Sequence, residues 1–496
     1  MPGMYEHSNK NRRKPTKFER FMSRYFPSLC LLALAVVCVV VVITTIQTIS
    51  NNLNGEPNGP VQMESTPSDG TGSTDDSTPS NPSNPSGPVL TEELVALMNE
   101  ANFVASGYNY TKAIEMLQSY PGYEQFKEVT DRINEYTSLD SQLVSYTDLD
   151  NITHIFFHSL IVDTKRAFDG DGDSKGYNLY MATISEFNKI MEQMYERGYV
   201  LVSPYDIAYE TTDASGKTIF TYGNIRLPAG KKPFLLSQDD VNYYSYMIGT
   251  GDGKDKVPIF ADTKGDGFAS KIVIGEDGFP TCEYMDAQGN IHYGDYDLVP
   301  LLEKFIQKHP DFSYHGARAM LGVTGYEGVL GYRTKPSYAE TIGQERWEKE
   351  VEEAKKVAEC LKEHGWLLVS HSYGHPAYGN LTASRVEADS QKWEDTCEYI
   401  VGKTDIILYP HGSDINGPGK YTMDNGKFKA LYEDGYRYFF NVDSKVAWIQ
   451  IGENYFRGGR RNIDGYRMYH YPEKLEDLFD VSEVFDPDRP TPVPTI

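Results

Sequence analysis

The stretch EHGWLLVS, residues 363–370, reads as the end of a helix followed by a buried strand. Gly365 stands where a helix needs a left-handed C-terminal cap, and the apolar run after it lacks the alternation of a half-exposed strand. The same order recurs in ERGYVLVS at 196–203 and in EDGYRYFF at 433–440. Repeated helices followed by continuously apolar strands predict an α/β fold with a parallel sheet covered by helices, either a barrel or a doubly wound sheet.

Helix start signals precede two of the predicted strands. Thr183 and Glu186 have the spacing of a capping box at the start of an apolar helix that leads to ERGYVLVS. Ser384 and Glu387 have the same spacing ahead of the strand DIILYP at 405–410. The helices and strands therefore alternate along the chain, as a (β/α) architecture requires.

Four predicted strands end in polar side chains. Because chemistry in parallel α/β folds gathers at the carboxyl ends of the strands, these side chains are predicted to meet at one site. They are His158 after IFF, Asp239 and Asp240 after FLLSQ, His371 and His375 in WLLVSHSYGHP, and Tyr409, Pro410 and His411 in IILYPHG.

Two imidazoles and one carboxylate leave coordination positions open on Zn²⁺ or a similar divalent ion. Taken singly, Asp239 and Asp240 also fit a solvated turn, and His371 and His375 also fit structural or surface positions. Their coincidence at strand ends favours a metal site. In this interpretation Asp240 is a ligand and Asp239 acts as a base.

The motifs SQDDV (237–241), HSYGH (371–375) and YPHG (409–412) together resemble the polysaccharide deacetylase family, the NodB-homology domain of carbohydrate esterase family 4. The resemblance extends over about residues 152–470. It implies a distorted (β/α) barrel that hydrolyses N-acetyl, or sometimes O-acetyl, groups of glycans.

The resemblance also assigns roles to residues. It implies that Asp240, His371 and His375 bind the metal, most simply Zn²⁺, and that Asp239 accepts a proton from the attacking water. By the same analogy the backbone N–H of His411, after Pro410, stabilises the oxyanion, with Tyr409 beside it.

The sequence departs from the family pattern at two points. Many members have an Arg in the third motif, where this chain reads LYPHG, and a late Leu-x-His that this chain lacks. Relatives with the YP-x-G form use the His at the end of the first strand, so His158 is the predicted acid, with a structural role beside the core strand as its alternative. Arg460 and Arg461 are expected either to contact substrate or to lie in a solvated turn.

The N-terminal sequence predicts a membrane anchor. Basic residues precede an apolar run, which predicts a single transmembrane signal anchor with a cytoplasmic N-terminus and an extracellular remainder. The expected boundaries are 1–27 basic segment, 28–46 transmembrane anchor, 47–89 disordered Ser/Pro/Gly-rich linker, 90–146 small helical hairpin module, 147–485 catalytic domain with a β insertion at about 249–297, and 486–496 tail.

The net charge of −24 argues against nucleic acid as a partner, because a phosphate backbone requires clustered Lys and Arg. The 37 Tyr and 22 Phe suit a large core and also stacking against sugar rings. Beyond the predicted anchor the chain has Cys282, Cys360 and Cys397, an odd number that predicts no disulfide framework.

The expected function is a membrane-anchored, extracellular, metal-dependent deacetylase. Its expected partners are the membrane, through one N-terminal helix, and an acetylated cell-surface polysaccharide of the peptidoglycan or poly-N-acetylglucosamine type. A weak or inactive glycan-binding envelope protein is the alternative suggested by the missing Arg and late His. A third possibility is an envelope scaffold that acts through the helical module.

Overall fold

The computed structural model describes residues 88–249, 260–443 and 447–496. The predicted basic segment, the transmembrane anchor and all but the last two residues of the linker lie outside these ranges. Within them, no helix combines the length and apolar character that crossing a bilayer requires.

Seven parallel strands close into a barrel, which confirms the (β/α) barrel over the doubly wound alternative. Counting in chain order, the ring runs β4, β5, β6, β7, β8, β1, β3, and it closes where β3 pairs with β4. Strand β2 pairs with β3 outside the ring. The strands are β1 Thr153–Phe157, β2 Tyr199–Leu201, β3 Lys232–Gln238, β4 Met320–Val323, β5 Leu367–Ser370, β6 Ile406–Leu408, β7 Tyr438–Val442 and β8 Phe456–Asn462.

Helices surround the barrel between its strands. The longer ones are α1 Glu92–Ser106, α2 Tyr110–Gln118, α3 Lys127–Gln142, α4 Ile184–Glu196, α5 Leu298–Lys308, α6 Gln344–Glu363, α7 Ala383–Trp393 and α8 Gly426–Glu433. Single-turn or two-turn helices lie at Thr164–Ala167, Ser174–Tyr180, Pro204–Ile207, Ser245–Ile248, Ala339–Ile342, Tyr399–Val401, Gly465–His470 and Val481–Val484.

The capping signals were right for one helix and wrong for the other. Thr183 caps α4, and both hydrogen bonds of its capping box with Glu186 are present. The predicted start at Ser384 is wrong, because α7 begins one residue earlier after the N-cap Thr382. Thr382 has the extended backbone of an N-cap, whereas Ser384 already lies inside the helix.

The strands are apolar throughout because both of their faces are covered. One buried cluster gathers residues from strands all around the ring, among them Leu235, Met320, Val369, Leu408 and Phe440, and fills the barrel interior. Residues of alternate position on the same strands pack outward against the helices. This double burial removes the alternation that a half-exposed strand shows.

The N-terminal module has three helices, so the prediction of a two-helix hairpin is wrong. The third helix, α3, buries only Val129 and Tyr136, a spacing too sparse to announce a helix in the sequence. The three helices share their own small apolar cluster with Leu94 and Leu117. Arg226 pairs with Asp140 at the end of α3 and ties the module to the barrel domain.

The predicted β insertion contains a three-stranded antiparallel sheet, at Ala269–Ile274, Pro280–Met285 and Ile291–Gly294. Three further short pairings lie at Val144–Ser145 with Arg226–Leu227, at Ala208–Thr212 with Thr218–Tyr222, and at Ile449–Ile451 with β8. Residues 486–496, expected as a tail, are part of the folded domain, since the buried Arg489 forms an ion pair with Glu186 at 2.5 Å.

Candidate active site

The turn after β3 places two carboxylates at the carboxyl end of the barrel. Asp239 donates its backbone N–H to the carbonyl of Phe157 on β1, at 2.9 Å. Asp240 has a left-handed backbone with φ 58°, and Val241 then bonds to Gly322 of β4 at 3.0 Å. Because the turn is fastened to both neighbouring strands, the backbone positions of the two residues are fixed. A solvated turn does not describe this geometry, since Asp239 is 3% exposed.

The loop after β5 brings the two imidazoles back to the same place. His371 is buried, and its Nδ1 lies 2.8 Å from the carbonyl oxygen of Leu408. A carbonyl only accepts, so Nδ1 carries the proton and Nε2 keeps a free lone pair. His375 has a left-handed backbone at φ 56°, and its N–H bonds to the Ser372 hydroxyl at 3.0 Å. The loop therefore turns His375 towards His371.

Asp240, His371 and His375 offer ligand atoms that all lie within 4.8 Å of one another. The Nε2 of His375 lies 3.6 Å from Oδ2 of Asp240. Burial lowers the pKa of His371 to about 4 against the attraction of Asp239 and Asp240, so this imidazole is neutral at neutral pH. Two imidazoles and a carboxylate at this spacing fit a divalent ion of the zinc type with open coordination positions.

Asp239 is paired with an arginine that is distant from it in the sequence. Nη1 of Arg460, on β8, lies 2.5 Å from Oδ1 of Asp239, and Nε2 of His371 lies 3.8 Å from Oδ2. Burial alone would raise the pKa of the Asp239 carboxyl, but Arg460 and then His371 outweigh burial and hold the pKa well below its usual range. Asp239 is therefore ionised at neutral pH, which is the state that a proton acceptor requires.

The expectations for Arg460 and Arg461 are corrected by their position. A solvated turn is wrong, because both lie on β8 and both are buried. Arg460 is 0% exposed, so it contacts the Asp239 carboxylate and not a substrate. Arg461 points the other way and pairs with Asp477 at 2.7 Å. The alternation of a strand separates the two arginines.

The loop after β6 places Tyr409, Pro410 and His411 next to the triad. The ring of Tyr409 is fully buried and packs near Tyr378, so this residue offers the site its main chain, where its carbonyl accepts from Arg460 Nη2 at 3.4 Å. His411 has φ 56°, and its exposed ring lies 4.4 Å from the ring of His375. The backbone of this loop thus borders the place where the ligand atoms converge.

His158 follows β1 and is half-buried. Its Nδ1 lies 3.0 Å from the carbonyl oxygen of Tyr180, so Nδ1 carries a proton and Nε2 is the nitrogen that can exchange one. The ring is close enough to Asp239 and Asp240 to favour their ionised forms. The buried Asp464 also lies within electrostatic range of His158. His470 is the one His downstream of His411 in the sequence, and its Nε2 lies 3.0 Å from the carbonyl oxygen of Val493.

Two residues of the site were missed by sequence reasoning. The Tyr244 hydroxyl donates to Oδ1 of Asp240 at 2.6 Å, and it lies 2.7 Å from the Thr324 hydroxyl. Tyr244 is one of 37 tyrosines and follows the Asp pair without a motif of its own. Thr324 follows β4, whose end carries no His or carboxylate to draw attention to it.

No family profile and no curated protein matches this sequence. Among solved structures, the chain is similar to the Streptococcus pyogenes deacetylase PplD in complex with acetate, with 13% identity, coverage of 66% of this chain and 97% of that chain, and a TM-score of 0.35. It is also similar to the chitin deacetylase from the fungal pathogen Colletotrichum lindemuthianum, with 16% identity, 37% and 75% coverage, and a TM-score of 0.20. Both neighbours are described as deacetylases, and at these scores neither likeness bears on the activity of this chain.

Proposed function

We propose that this protein is a metal-dependent deacetylase that hydrolyses N-acetyl groups of a cell-surface polysaccharide of the peptidoglycan or poly-N-acetylglucosamine type. The observation that carries the proposal is the buried pair of Asp239 and Arg460 next to three convergent metal ligands. A structural metal site is closed by four protein ligands, whereas three ligands and an adjacent base suit hydrolysis.

Asp240, His371 and His375 would hold the ion, most simply Zn²⁺. The chemistry that such an ion would supply is a lower pKa for a nearby water molecule and polarisation of the acetyl carbonyl. Asp239 accepts the proton of the attacking water, and Arg460 keeps the Asp239 carboxylate charged and fixed in direction. The loop after Pro410 supplies the backbone N–H of His411 to the developing oxyanion.

Cleavage of the C–N bond requires a proton for the departing amine. His158 is assigned this role because its Nε2 is free to exchange a proton while Nδ1 is held by Tyr180. It reaches the site from β1, on the far side of Asp239 from the strand that carries His371. Asp239 and His158 then divide the base and acid roles between two neighbouring strands.

The glycan-binding alternative, a protein that keeps the pocket without turnover, draws on the missing Arg of the third motif. Arg460 weakens it, since an arginine reaches the Asp239 carboxylate from β8 instead. In the proposed mechanism, His158 takes the role of the late His that this chain lacks. Tight glycan binding without acetate release would select this alternative.

The proposed location is the outer face of the cell membrane, with residues 28–46 as a signal anchor and residues 47–89 as a tether. Its support is the order of basic residues followed by an apolar run at the start of the chain. The tether would let the catalytic domain reach a polymer that is itself fixed to the cell surface.

The test is acetate release by the full-length chain, in detergent, from N-acetylglucosamine oligomers and from peptidoglycan. We expect release that stops with chelator, returns with Zn²⁺, and is absent in Asp239→Asn. Asp477→Asn is the matched control. Asp477 pairs with Arg461, which is next to Arg460 on β8, and so this variant also removes the carboxylate partner of a β8 arginine. Equal release by wild type and Asp239→Asn would reject Asp239 as the base.

A further inference from the structure

The phenol of Tyr244 sits between a proposed metal ligand and the end of a neighbouring strand. Its oxygen lies 2.6 Å from Oδ1 of Asp240 and 2.7 Å from Oγ1 of Thr324. Both Tyr244 and Thr324 are buried, at 4% and 0% exposure. Bulk water therefore does not compete freely for these hydrogen bonds. The side chains of Thr324, Tyr244 and Asp240 form one continuous line of hydrogen bonds.

The direction of the protons along this line of hydrogen bonds is fixed by chemistry. An ionised carboxylate only accepts, so the single phenolic proton of Tyr244 goes to Asp240. The Thr324 hydroxyl must then donate to the phenolic oxygen. Thr324 is itself fixed, since Asn242 accepts from its backbone N–H at 3.0 Å and donates to its carbonyl at 2.7 Å. While the Asp240 carboxylate is charged, the hydrogen bonds can therefore run only from Thr324 to Tyr244 and from Tyr244 to Asp240.

The ring of Tyr244 stacks with two other tyrosine rings. Tyr326 stacks on it at 4.9 Å with an angle of 12°, and Tyr246 at 5.9 Å with an angle of 14°. Stacked rings resist rotation of the side chain, so the hydroxyl keeps its direction.

We propose that Tyr244, oriented by Thr324, is a positioning residue that selects which oxygen of Asp240 binds the metal. With Oδ1 occupied by the phenol, Oδ2 is left to face the imidazole of His375, 3.6 Å away. The inference rests on the proposed function only in taking Asp240, His371 and His375 as the metal ligands.

The test measures metal affinity separately from catalysis. Full-length wild type and Tyr244→Phe are stripped with chelator, and Zn²⁺ binding is measured by competition with a chromophoric chelator. We expect Tyr244→Phe to bind Zn²⁺ about 10- to 100-fold more weakly, as is typical when a partner of a metal ligand is lost. Tyr246→Phe is the matched control, since it removes a phenolic hydroxyl from the same stack, and its affinity should stay within about threefold of wild type.

Thr324 gives a second pair of variants that does not depend on Tyr244 itself. Thr324→Val removes the donor at nearly constant volume and should weaken Zn²⁺ binding, whereas Thr324→Ser keeps the hydroxyl and should restore it. The visible spectrum of the Co²⁺-loaded protein should change in Tyr244→Phe and Thr324→Val, because it reports ligand geometry, and stay as in wild type in Thr324→Ser.

The outcomes separate the inference from the proposed function. Unchanged Zn²⁺ affinity and an unchanged Co²⁺ spectrum in Tyr244→Phe would overturn the positioning role while leaving a metal-dependent deacetylase intact. Failure of wild type to bind any divalent ion would overturn both.

Discussion

The guanidinium of Arg460 lies 2.5 Å from the carboxylate of Asp239, and the side chains are 0% and 4% exposed. The two residues are 221 positions apart in the chain. They meet because β8 and β3 both flank β1 in the closed ring. A carboxylate buried without a counter-charge takes up a proton, whereas one paired with a permanently charged guanidinium stays ionised. The closure of the barrel thus brings Arg460 next to Asp239, and this contact keeps the carboxylate of the proposed base ionised.

Replacing Arg460 with Met should impair both stability and turnover. Breaking a buried ion pair leaves an uncompensated charge and costs about 3–5 kcal/mol in the free energy of unfolding. Acetate release should fall by about 10²- to 10⁴-fold, the contribution typical of a general base, because Asp239 loses the group that keeps it ionised. Denaturant unfolding and initial rates of acetate release check the two effects.

Arg461→Met is the control for this experiment, since it changes the next residue on the same strand. Arg461 pairs with Asp477, which is 42% exposed, on the side away from Asp239. We expect some loss of stability and a kcat close to that of wild type. Equal losses of kcat in the two variants would mean that Arg460 acts through the fold and not through Asp239.

Replacing His158 with Ala should remove the acid without disturbing the metal. The imidazole lies beside the proposed site, but it is not among the three convergent ligands. The expected result is a fall in kcat of about 10²- to 10⁴-fold, with Zn²⁺ affinity unchanged. His470→Ala, at a position bonded to the Val493 carbonyl, should behave as wild type. An unaffected kcat in His158→Ala would assign His158 the structural role instead.

Zinc should raise the temperature of thermal unfolding, and His371 should be required for the effect. A ligand that binds only the folded state at about 100 times its Kd stabilises it by about 2.7 kcal/mol. His371→Ala removes one of the three ligands and should abolish most of the shift. Differential scanning fluorimetry with EDTA or with excess Zn²⁺ gives the comparison. A full zinc response in His371→Ala would place the bound ion elsewhere.

Acid should destabilise the domain in part through His154. Burial, and then the charge of Arg460, lower the pKa of His154 well below its ordinary value of 6.5. Below pH 6.5 the unfolded chain binds a proton at this residue that the folded chain does not, so stability falls as the pH falls. Above pH 6.5 the two states are equally unprotonated, and the effect is absent.

The measurement is the free energy of unfolding between pH 6.5 and pH 5, with EDTA present, for wild type and His154→Phe. Wild type should lose up to about 1.4 kcal/mol per pH unit more than the variant. The Phe is chosen because His154 packs edge-on against Phe440 at 4.7 Å. Parallel pH profiles would show that His154 is protonated equally in both states.

The sequence predicted a parallel sheet covered by helices because burial on both faces of a strand leaves a direct mark, a continuous apolar run after a helix-ending glycine. The pattern left a barrel and a doubly wound sheet open, and the family resemblance favoured the barrel. It also predicted that His158, Asp239, His371 and His411 would gather, since parallel strands end at one edge. What it could not predict is contact between side chains from distant strands. Arg460 looked like a loop residue because FRGGRRN contains two glycines and three arginines and lacks the apolar content of a strand.

The sequence did not predict the role of Tyr244 or the third helix of the N-terminal module, and the two reasons are related. The hydroxyl of Tyr244 matters through its direction, which depends on stacking with Tyr326, a residue that is distant in sequence. Helix α3 contacts its neighbours through few apolar side chains, so its periodicity is faint. Both features depend on tertiary packing, which local sequence patterns do not reveal.

The most direct test of the central claim is a titration of the chelator-stripped, full-length protein with Zn²⁺, with acetate release from an N-acetylglucosamine oligomer measured at each step. We expect no release from the stripped protein and a rise to a plateau at one Zn²⁺ per chain, and we expect that Asp240→Asn never reaches this plateau. Acetate release that is complete before Zn²⁺ is added, or equal in Asp240→Asn, would contradict this claim.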